Sequence, residues 1–290
     1  MTPPSAASVE SRLDRWPAQA LAATLDVGAP APGDELPPLW HWLYFLRTAR
    51  RTDMGPDGHP ADPDLVDPSD PRRRMFAAAR VEFVRPLRFD QSARMTQSLI
   101  RTRDTQGGGG SLRIVTFEHR YEQQGGLCVR EERDIIYIKA AAPAAQTAQP
   151  DAAAAGAARA TPPQAAAAAP PADTTPPAGL EITPDPVMLM RFSALTFNAH
   201  RIHYDQAYAQ REEGYPERLV HGPLTAILLA ELLRIQGIAW LQRFEFRARR
   251  PLFVNRPIRI VGVPADGRVG LSALDGSGAL AMEATASLGR

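Results

Sequence analysis

A dense group of polar side chains precedes the most apolar segment of the chain. The stretch 192-FSALTFNAHRIHYDQAYA-209 carries histidine, asparagine, tyrosine and aspartate, and the chain soon enters 224-LTAILLAELL-233. The second segment is apolar on nearly every side, which is typical of a helix enclosed by a curved sheet. We therefore expect the polar group to lie at the mouth of that enclosure, beside the amino end of the helix.

The four residues 221-HGPL-224 mark that amino end. A helix amino terminus presents unpaired N–H groups and partial positive charge, which suits an oxygen that gains negative charge during a reaction. Gly222 lets a ligand approach the backbone and supplies an N–H, while Pro223 begins the helix without losing a needed donor. The residues predict an oxyanion site; an ordinary Gly-Pro helix entry is the alternative that local sequence leaves open.

Two regions of the chain repeat the same order of elements. In each, one apolar helix candidate precedes a run of antiparallel strand candidates, so each predicts a sheet wrapped around a helix and the pair predicts an internal tandem. The helix candidates are 38-PLWHWLYFLR-47 and residues 223–236. The strand candidates are 79–87, 93–104, 111–123 and 126–139 in the first region and 242–252, 257–264, 267–274 and 279–288 in the second.

Composition separates the two regions. Residues 140–178 are rich in Ala and Pro and nearly free of large apolar side chains, so they cannot bury enough surface to offset their ordering entropy. The predicted organisation is an amino-terminal domain over 1–139, a linker over 140–178 and a carboxy-terminal domain over 179–290. Gly, Pro and Asp punctuation predicts a long surface loop over 52–71.

Whole-chain numbers exclude several classes of protein. The 290 residues are 44% hydrophobic, which is enough for real cores. A formal net charge of +1 provides no field for nucleic acid or an anionic membrane, and no apolar run approaches the length of a membrane-spanning helix. With Cys128 as its single cysteine the chain suits a reducing compartment, so we expect a cytoplasmic protein without membrane or nucleic-acid partners.

The polar cluster resembles a known family. An Asn/Asp-x-x-x-x-His segment followed by HGP before an apolar helix is similar to the MaoC-like hydratases and dehydratases of the hotdog fold. More closely, 195-LTFNAHRIHYD-205 with 214-GYPERLVHGPL-224 resembles the branch of mesaconyl-CoA hydratases and hydroxyacyl-thioester dehydratases. The stretch 72-RRRMFAAARVEFVRPLR-88 resembles the degenerate, FAS1-like dehydratase amino-terminal domain of tandem members. The resemblance implies an α+β double hotdog.

The family motif Asp-x-Asn-Pro-[Ile/Leu]-His can be laid onto this sequence. Asn198, His200, Arg201, Ile202 and His203 occupy its specified positions, and Asn198 and His200 depart from the polar residues of the pattern. The resemblance implies that His203 is the principal acid/base, taking a proton from water as water adds to the β-carbon of an enoyl thioester. Asn198 can orient that water but cannot act as a carboxylate base.

The resemblance also places substrate contacts around these residues. His200, Arg201, Tyr204, His221 and Pro223 are the predicted substrate-binding residues, with Asn198, His203 and Gly222 predicted as catalytic. His200 is equally well read as a histidine that holds its loop, and His221 as a support for the oxyanion site. A metal held by the three nearby histidines is conceivable. Enoyl hydration needs only a polarised thioester carbonyl and a base, so no metal or other cofactor is predicted.

The remaining histidines and the arginine clusters give weaker indications of function than the polar cluster does. His41, His59 and His119 lie in the first region, where no Asn/Asp-x-x-x-x-His segment precedes the helix candidate, so that domain is expected to be non-catalytic. Guanidinium groups suit the phosphates of coenzyme A or phosphopantetheine, although solvated charges on strand edges are the simpler explanation for any single one. The two clusters are Arg72, Arg73 and Arg74, and Arg243, Arg247, Arg249 and Arg250.

The resulting prediction is a hydro-lyase that acts on an α,β-unsaturated acyl thioester. Its substrate would be an enoyl-CoA of the mesaconyl-C4-CoA or itaconyl-CoA type, with coenzyme A entering as part of the substrate. The alternatives are a 3-hydroxyacyl-thioester dehydratase that acts on an acyl-carrier protein, and an inactive acyl-CoA binding module. A hotdog thioesterase normally needs a placed carboxylate, and Asn198 argues against that class. The predicted assembly is a homodimer of double hotdogs.

Overall fold

Strands and short helices account for most of the ordered chain. The computed structural model describes residues 7–60, 72–107, 110–139, 179–238, 240–265 and 267–289. The predicted linker and part of the predicted loop, residues 61–71, lie outside these ranges. No helix in the described part of the chain is long and apolar enough to cross a bilayer.

Within the described residues, ten antiparallel strands form one continuous sheet. They alternate polar and apolar residues because one face of each strand packs on the core. The strands are β1 (Ala7–Arg12), β2 (Arg72–Phe83), β3 (Ser92–Gly107), β4 (Gly110–Gln123), β5 (Gly126–Lys139), β6 (Leu180–Ile182), β7 (Leu241–Ala248), β8 (Ile258–Ala265), β9 (Arg268–Leu274) and β10 (Leu280–Leu288).

The strand order reveals an internal repeat. Along the sheet it reads β1-β3-β4-β5-β2 and then β7-β10-β9-β8-β6, so the second half repeats the first in reverse. The halves meet where β2 pairs antiparallel with β7, from Ala78 opposite Arg247 to Glu82 opposite Arg243. This main-chain pairing joins the halves, as expected for the predicted α+β tandem. The domain boundaries at 139 and 179 stay a prediction.

Four α-helices accompany the sheet: α1 (Arg15–Leu25), α2 (Pro186–Leu195), α3 (Gln206–Arg211) and α4 (Gly222–Ile235). The predicted apolar helix is α4, displaced by one residue at each end. Residues 224–233 of α4 are all buried, and the helix lies against β8, β9 and β10. A helix that buries ten consecutive residues must be covered on every side, which explains its lack of a polar face.

The helix predicted over 38–47 is wrong. Only Trp40–Leu43 are helical, as a single 3₁₀ turn. Leu39 and Phe45, on either side, have positive φ angles of 68° and 57°, a left-handed conformation that an α-helix cannot continue through. The α-helix of the first half is instead α1, which the sequence analysis did not predict, and β1, β6 and α2 were likewise not predicted as separate elements.

Candidate active site

The loop between α2 and α3 carries the predicted acid/base residue. A 3₁₀ turn over Arg201–His203 ends at the half-exposed Tyr204. The Asn198 side-chain oxygen accepts a hydrogen bond from the backbone N–H of His200 at 3.0 Å. An asparagine that caps its own backbone two residues on stabilises a tight turn. Asn198 therefore fixes the loop that leads to His203, and its amide N–H groups are still able to donate elsewhere.

The hydrogen bond of His203 fixes its tautomer. Its Nδ1 lies 2.9 Å from the carbonyl oxygen of Leu219, which can only accept, so Nδ1 carries the proton. Nε2 consequently presents a lone pair. Burial lowers the pKa of His203 to about 4, against the opposing effect of the Leu219 hydrogen bond, so the ring is neutral at pH 7. The structure thus gives His203 the state that a general base requires.

His221 supports His203 from the opposite side. The two rings stack with centroids 3.6 Å apart and an interplanar angle of 22°. His221 Nε2 is 2.8 Å from the Ser193 hydroxyl on α2, while its Nδ1 is buried without a partner among the described residues. Burial holds the pKa of His221 well below its ordinary value. Its position fits the predicted supporting role.

Gly222 and Pro223 open α4 directly after His221. No side chain caps the helix, and Pro223 contributes no N–H, so the first backbone donors are open to a ligand. The backbone of Gly222 is helical, and its small size matters for another reason. A Cβ placed there would lie 3.3 Å from the Phe76 ring on β2 of the first half. Glycine thus leaves space between the helix start and Phe76.

A loop from the first half reaches this site. Met54 bridges to Pro60, and the backbone N–H of Gly55 bonds to the carbonyl of His59 at 2.6 Å, forming a tight turn. Gly58 sits at its tip with a φ of +86°, and a Cβ there would lie 2.0 Å from the backbone oxygen of Ala199. Only glycine permits both the conformation and the approach. The turn is therefore docked on the loop that holds His203.

That turn delivers His59 to the cluster, which the sequence analysis missed. The His59 ring lies 4.2 Å from the His200 ring, and the His200 ring lies 5.5 Å from the His203 ring. The backbone N–H of Arg201 also donates to the carbonyl of Asp57 at 2.8 Å. His59 and His200, which are 141 positions apart in sequence, thus belong to one site. The sequence signal that could have indicated this contact is the set of turn residues over 54–60, which includes Gly58.

His59 is held between a carboxylate and a guanidinium. Its Nε2 lies 3.0 Å from Arg74 Nη1, and its Nδ1 lies 3.3 Å from Asp57 Oδ2. Because arginine can only donate, Nε2 must accept and Nδ1 must carry the proton toward Asp57. Burial lowers the pKa of His59, and the charge of Arg74 acts in the same direction. His59 is therefore neutral, with both ring nitrogens engaged.

A set of three residues other than the predicted histidine trio could offer ligands to a metal ion. Asp57, His59 and His200 bring one potential ligand atom each to within 4.8 Å of one another. Both nitrogens of His59 are occupied, however, and the Arg74 guanidinium beside them repels a cation. This donor set does not fit a metal ion, and no catalytic step is assigned to one.

Arg201 and Tyr204, two of the predicted substrate contacts, are more exposed than His200 and His203. Arg201 donates to Asp205 at 2.8 Å and to the Pro56 carbonyl at 3.0 Å, and its guanidinium lies over the Tyr208 ring at 4.1 Å. The Tyr204 residue is 50% exposed. Arg201 is thus engaged in holding the two loops together, and Tyr204 faces solvent beside the imidazole cluster. Their roles as substrate contacts stay predictions.

Several arginines predicted for phosphate binding have protein partners. Arg73 Nη1 donates to the Glu213 carbonyl at 2.8 Å, and Arg74 binds His59. Arg243 pairs with Glu245, and Arg249 with Glu283. The side chain of Arg72 lies outside the described residues. Paired arginines can still contact phosphates, so this prediction remains open.

Comparison with known proteins identifies the family. The model of hydroxyacyl-thioester dehydratase type 2 matches residues 39–254. A mesaconyl-C(4)-CoA hydratase of Chloroflexus aurantiacus is 42% identical over 276 residues, covering 93% of this chain and 90% of the relative. A mitochondrial hydroxyacyl-thioester dehydratase type 2 of Schizosaccharomyces pombe is 27% identical over 285 residues, covering 86% and 87%.

Solved structures agree on the fold. A MaoC-like dehydratase of Phytophthora capsici superposes with a TM-score of 0.68 at 16% identity, over 99% of this chain and 96% of that one. HtdX of Mycobacterium tuberculosis gives 0.64 at 16% identity, over 98% and 100%. The fold is the α+β double hotdog, and the protein is a hydro-lyase of this fold. The chain belongs to the hydroxyacyl-thioester dehydratase type 2 family.

Proposed function

We propose that this protein adds water reversibly across the α,β double bond of an acyl-CoA of the mesaconyl-C4-CoA type. The observation that carries the proposal is the neutral His203, whose ring stacks on His221 at the amino end of α4 and whose Nε2 has no hydrogen-bond partner in the described part of the chain. A base and an oxyanion donor are the two elements that enoyl hydration requires. The relative that shares 42% identity bears the name of that activity.

The first step forms the carbon–oxygen bond. His203 Nε2 takes one proton from water while the water oxygen attacks the β-carbon. The electron pair of the double bond moves toward the thioester carbonyl, whose oxygen becomes an enolate. The Gly222 N–H at the start of α4 donates to that oxygen, aided by the positive end of the helix dipole. The Asn198 amide can donate to the water oxygen, because its own oxygen already accepts from His200.

The second step returns the proton. The protonated His203 ring delivers its Nε2 proton to the α-carbon, and the enolate electrons reform the thioester carbonyl. Hydrogen and hydroxyl from one water are thereby added, and the base ends neutral again. Dehydration follows the same path in reverse, as microscopic reversibility requires. One histidine is enough for both proton transfers, which suits a site with Asn198 in place of an aspartate.

A dehydratase that acts on a 3-hydroxyacyl carrier is the second candidate, and its support is the match to the family model and the fission-yeast relative. The fold alone does not exclude hydrolysis, since a 12:0-ACP thioesterase of Umbellularia californica superposes with a TM-score of 0.54. Asn198 provides no carboxylate for that reaction.

The test is an assay of the purified chain with mesaconyl-C4-CoA, crotonyl-CoA and a 3-hydroxyacyl-CoA or carrier thioester. Absorbance of the conjugated thioester should fall with the first substrate, and thiol release should remain at background. Formation of the conjugated thioester only from the carrier-bound hydroxyacyl group would favour the dehydratase. If the protein bound these thioesters but neither added nor removed water on any of them, it would be an inactive binding module.

A further inference from the structure

Arg74 is held at the site by a chain of hydrogen bonds that no step of the proposed mechanism uses. Asp57 accepts from the His59 backbone N–H at 3.0 Å and faces His59 Nδ1, while His59 Nε2 faces Arg74 at 3.0 Å. Burial acts to raise the pKa of Asp57, but the bonds from His59 and the charge of Arg74 hold it below the ordinary value. The result is a guanidinium fixed in orientation, and within the described residues His59 engages only one of its five N–H donors.

His200 adds an unsatisfied group beside this guanidinium. It is 5% exposed, and its buried Nε2 has no hydrogen-bond partner in the described part of the chain. A buried polar nitrogen without a partner is costly, so such groups in a site usually meet a ligand or ordered water. Burial lowers the pKa of His200, and the neighbouring His59, His203 and Arg74 all disfavour its protonation in the same direction. The ring is therefore neutral and can donate one N–H to an acceptor.

These two groups share one chemical preference. A guanidinium fork matches the two oxygens of a carboxylate, and a neutral imidazole N–H can add a third hydrogen bond. We infer that Arg74 and His200, positioned by the Asp57–His59 pair, form a subsite for a second carboxylate on the acyl group of the substrate. This inference rests on the proposed function and names its substrate class: an enoyl thioester with a carboxylate on its β-carbon.

The position of the subsite agrees with the chemistry. In such a substrate the carboxylate is one carbon–carbon bond, about 1.5 Å, from the carbon that water attacks. Its binding groups must therefore lie next to the base. The His200 ring is 5.5 Å from the His203 ring, and the His59 ring is 4.2 Å from the His200 ring. A coenzyme A phosphate is many bonds from the β-carbon, so a buried anion site beside His203 does not suit it.

The first half of the molecule thereby contributes to substrate selection. Arg74 is on β2, and the turn that carries Asp57 and His59 is docked through Gly58 against Ala199. His200, the base and the helix start belong to the second half. The subsite therefore needs both halves and forms where their two loops meet.

The experiment compares kcat/KM for two probes in the full chain. Fumaryl-CoA carries a carboxylate on its β-carbon, and crotonyl-CoA carries a methyl group there. The wild-type chain should prefer fumaryl-CoA by at least tenfold, since a charged hydrogen bond is worth on the order of 10- to 100-fold. Arg74→Met should remove that preference, chiefly through fumaryl-CoA, and Arg74→Lys should retain part of it because it keeps the charge but not the fork.

The ratio of the two kcat/KM values does not depend on how much of a variant is folded, so partial misfolding cannot imitate the effect. Arg94→Met is the matched control, because Arg94 is an exposed arginine that pairs with Glu10 on the outer edge of the first half. It should leave the ratio unchanged. His200→Ala should lower the ratio in the same direction as Arg74→Met.

Each outcome decides something different. Equal losses on both probes in Arg74→Met would make Arg74 a structural residue and overturn the inference, as would a wild-type preference for crotonyl-CoA. Either result leaves the hydratase proposal standing. A wild-type chain that hydrates neither probe nor mesaconyl-C4-CoA would instead contradict the proposed function itself.

Discussion

The two halves share a strand order but differ in what fills them. The second half encloses α4, a helix of 14 residues, whereas the predicted helix of the first half is reduced to the four residues Trp40–Leu43. The first half buries a carboxylate instead: Glu131 is 0% exposed. Its neighbours saturate it with hydrogen bonds. They are Trp42 Nε1 at 3.0 Å, Tyr121 Oη at 3.2 Å, Arg133 Nη2 at 2.9 Å and His41 Nε2 at 3.3 Å.

The difference separates a structural network from a reactive one. The Glu131 network satisfies its carboxylate fully, which rigidifies a core and leaves nothing for a ligand. In the second half, His200 Nε2 and His221 Nδ1 are buried without partners in the described residues. His119 Nδ1 is the exception in the first half, although its Nε2 meets Gln97 at 3.2 Å. The unpartnered nitrogens leave hydrogen-bonding capacity for a ligand, whereas the saturated carboxylate leaves none.

The largest expected effect follows from removing the base. His203→Ala should lower turnover by about 10²–10⁴-fold, because general acid–base catalysis contributes that much. Thioester binding and the melting temperature should change little by comparison. The matched change in the other half is His119→Ala, which should lower the melting temperature and leave turnover per folded molecule intact. Near wild-type turnover in His203→Ala would remove it as the base.

The second effect concerns the helix start that only one half possesses. Gly222→Val should cost roughly 10²–10³ in kcat, because added bulk displaces the oxyanion donor. The new side chain also meets Phe76. Gly222→Val combined with Phe76→Leu separates the two causes, since relief of the clash should restore the melting temperature but not turnover. Normal turnover per folded molecule in the single variant would place Gly222 outside the chemistry.

The third effect tests the buried carboxylates of the two halves. Glu131→Gln should destabilise the protein by about 1.5–3 kcal/mol at pH 7, because it replaces the charged hydrogen bonds between Glu131 and the partly buried Arg133 with neutral ones. The comparison is Glu231 on α4, 2% exposed, which accepts from Trp40 Nε1 and from Arg234. Burial raises the pKa of Glu231. Burial also acts to raise the pKa of Glu131, but its partners Arg133 and His41 outweigh burial and hold that pKa well below the ordinary value.

The two glutamates should therefore respond to pH with opposite signs. The folded pKa of Glu131 is depressed, so its contribution to stability is present above its unfolded value and is lost as the pH falls. Glu231 binds its proton more readily when folded, so its contribution rises as the pH falls. Glu231→Gln should cost less than Glu131→Gln, because burial disfavours the charge that Glu231 brings to Arg234. Chemical denaturation of both variants checks this, and equal losses would contradict the distinction.

The fourth prediction is a nearly flat pH profile of kcat/KM. With the pKa of His203 lowered to about 4, kcat/KM should fall less than twofold between pH 7.5 and pH 5.5. A histidine with an ordinary pKa near 6.5 would lose about tenfold over the same interval. Burial also lowers the pKa of His41 and His221, so the unfolded chain takes up protons below about pH 6.5 and stability declines there. Melting temperatures at each pH keep the two effects apart.

The smallest effect concerns the connection between the halves. If the β2–β7 pairing holds them together, deletion of residues 150–168, about half of the predicted linker, should change the free energy of unfolding by only about 0.6 kcal/mol. Thermal and urea denaturation measure it. A fall of several degrees in melting temperature would mean that the segment packs on the folded halves.

The sequence determined the elements whose signals are local. Alternating residues predicted β3 to β5 and β7 to β10 within a few residues, because every second side chain of a strand meets the core. The strand predicted over 79–87 is displaced toward the carboxyl end, since β2 spans Arg72–Phe83. The continuous apolar run and its Gly-Pro start predicted α4 to within one residue. The spacing of Asn198, His203 and Gly222 indicated the family, which the comparisons confirmed.

Tertiary structure decided what depends on distant partners. The run 38–47 is as apolar as a buried helix, but the tryptophan side chains in it have distant partners. Trp42 Nε1 donates to Glu131, 89 residues away, and Trp40 Nε1 donates to Glu231, 191 residues away. No local pattern contains those partners. The same holds for His59, which meets His200 only because Gly58 allows its turn to dock on Ala199. The identity of the reactive segment is therefore local, whereas the completion of the site depends on contacts between residues that are far apart in the chain.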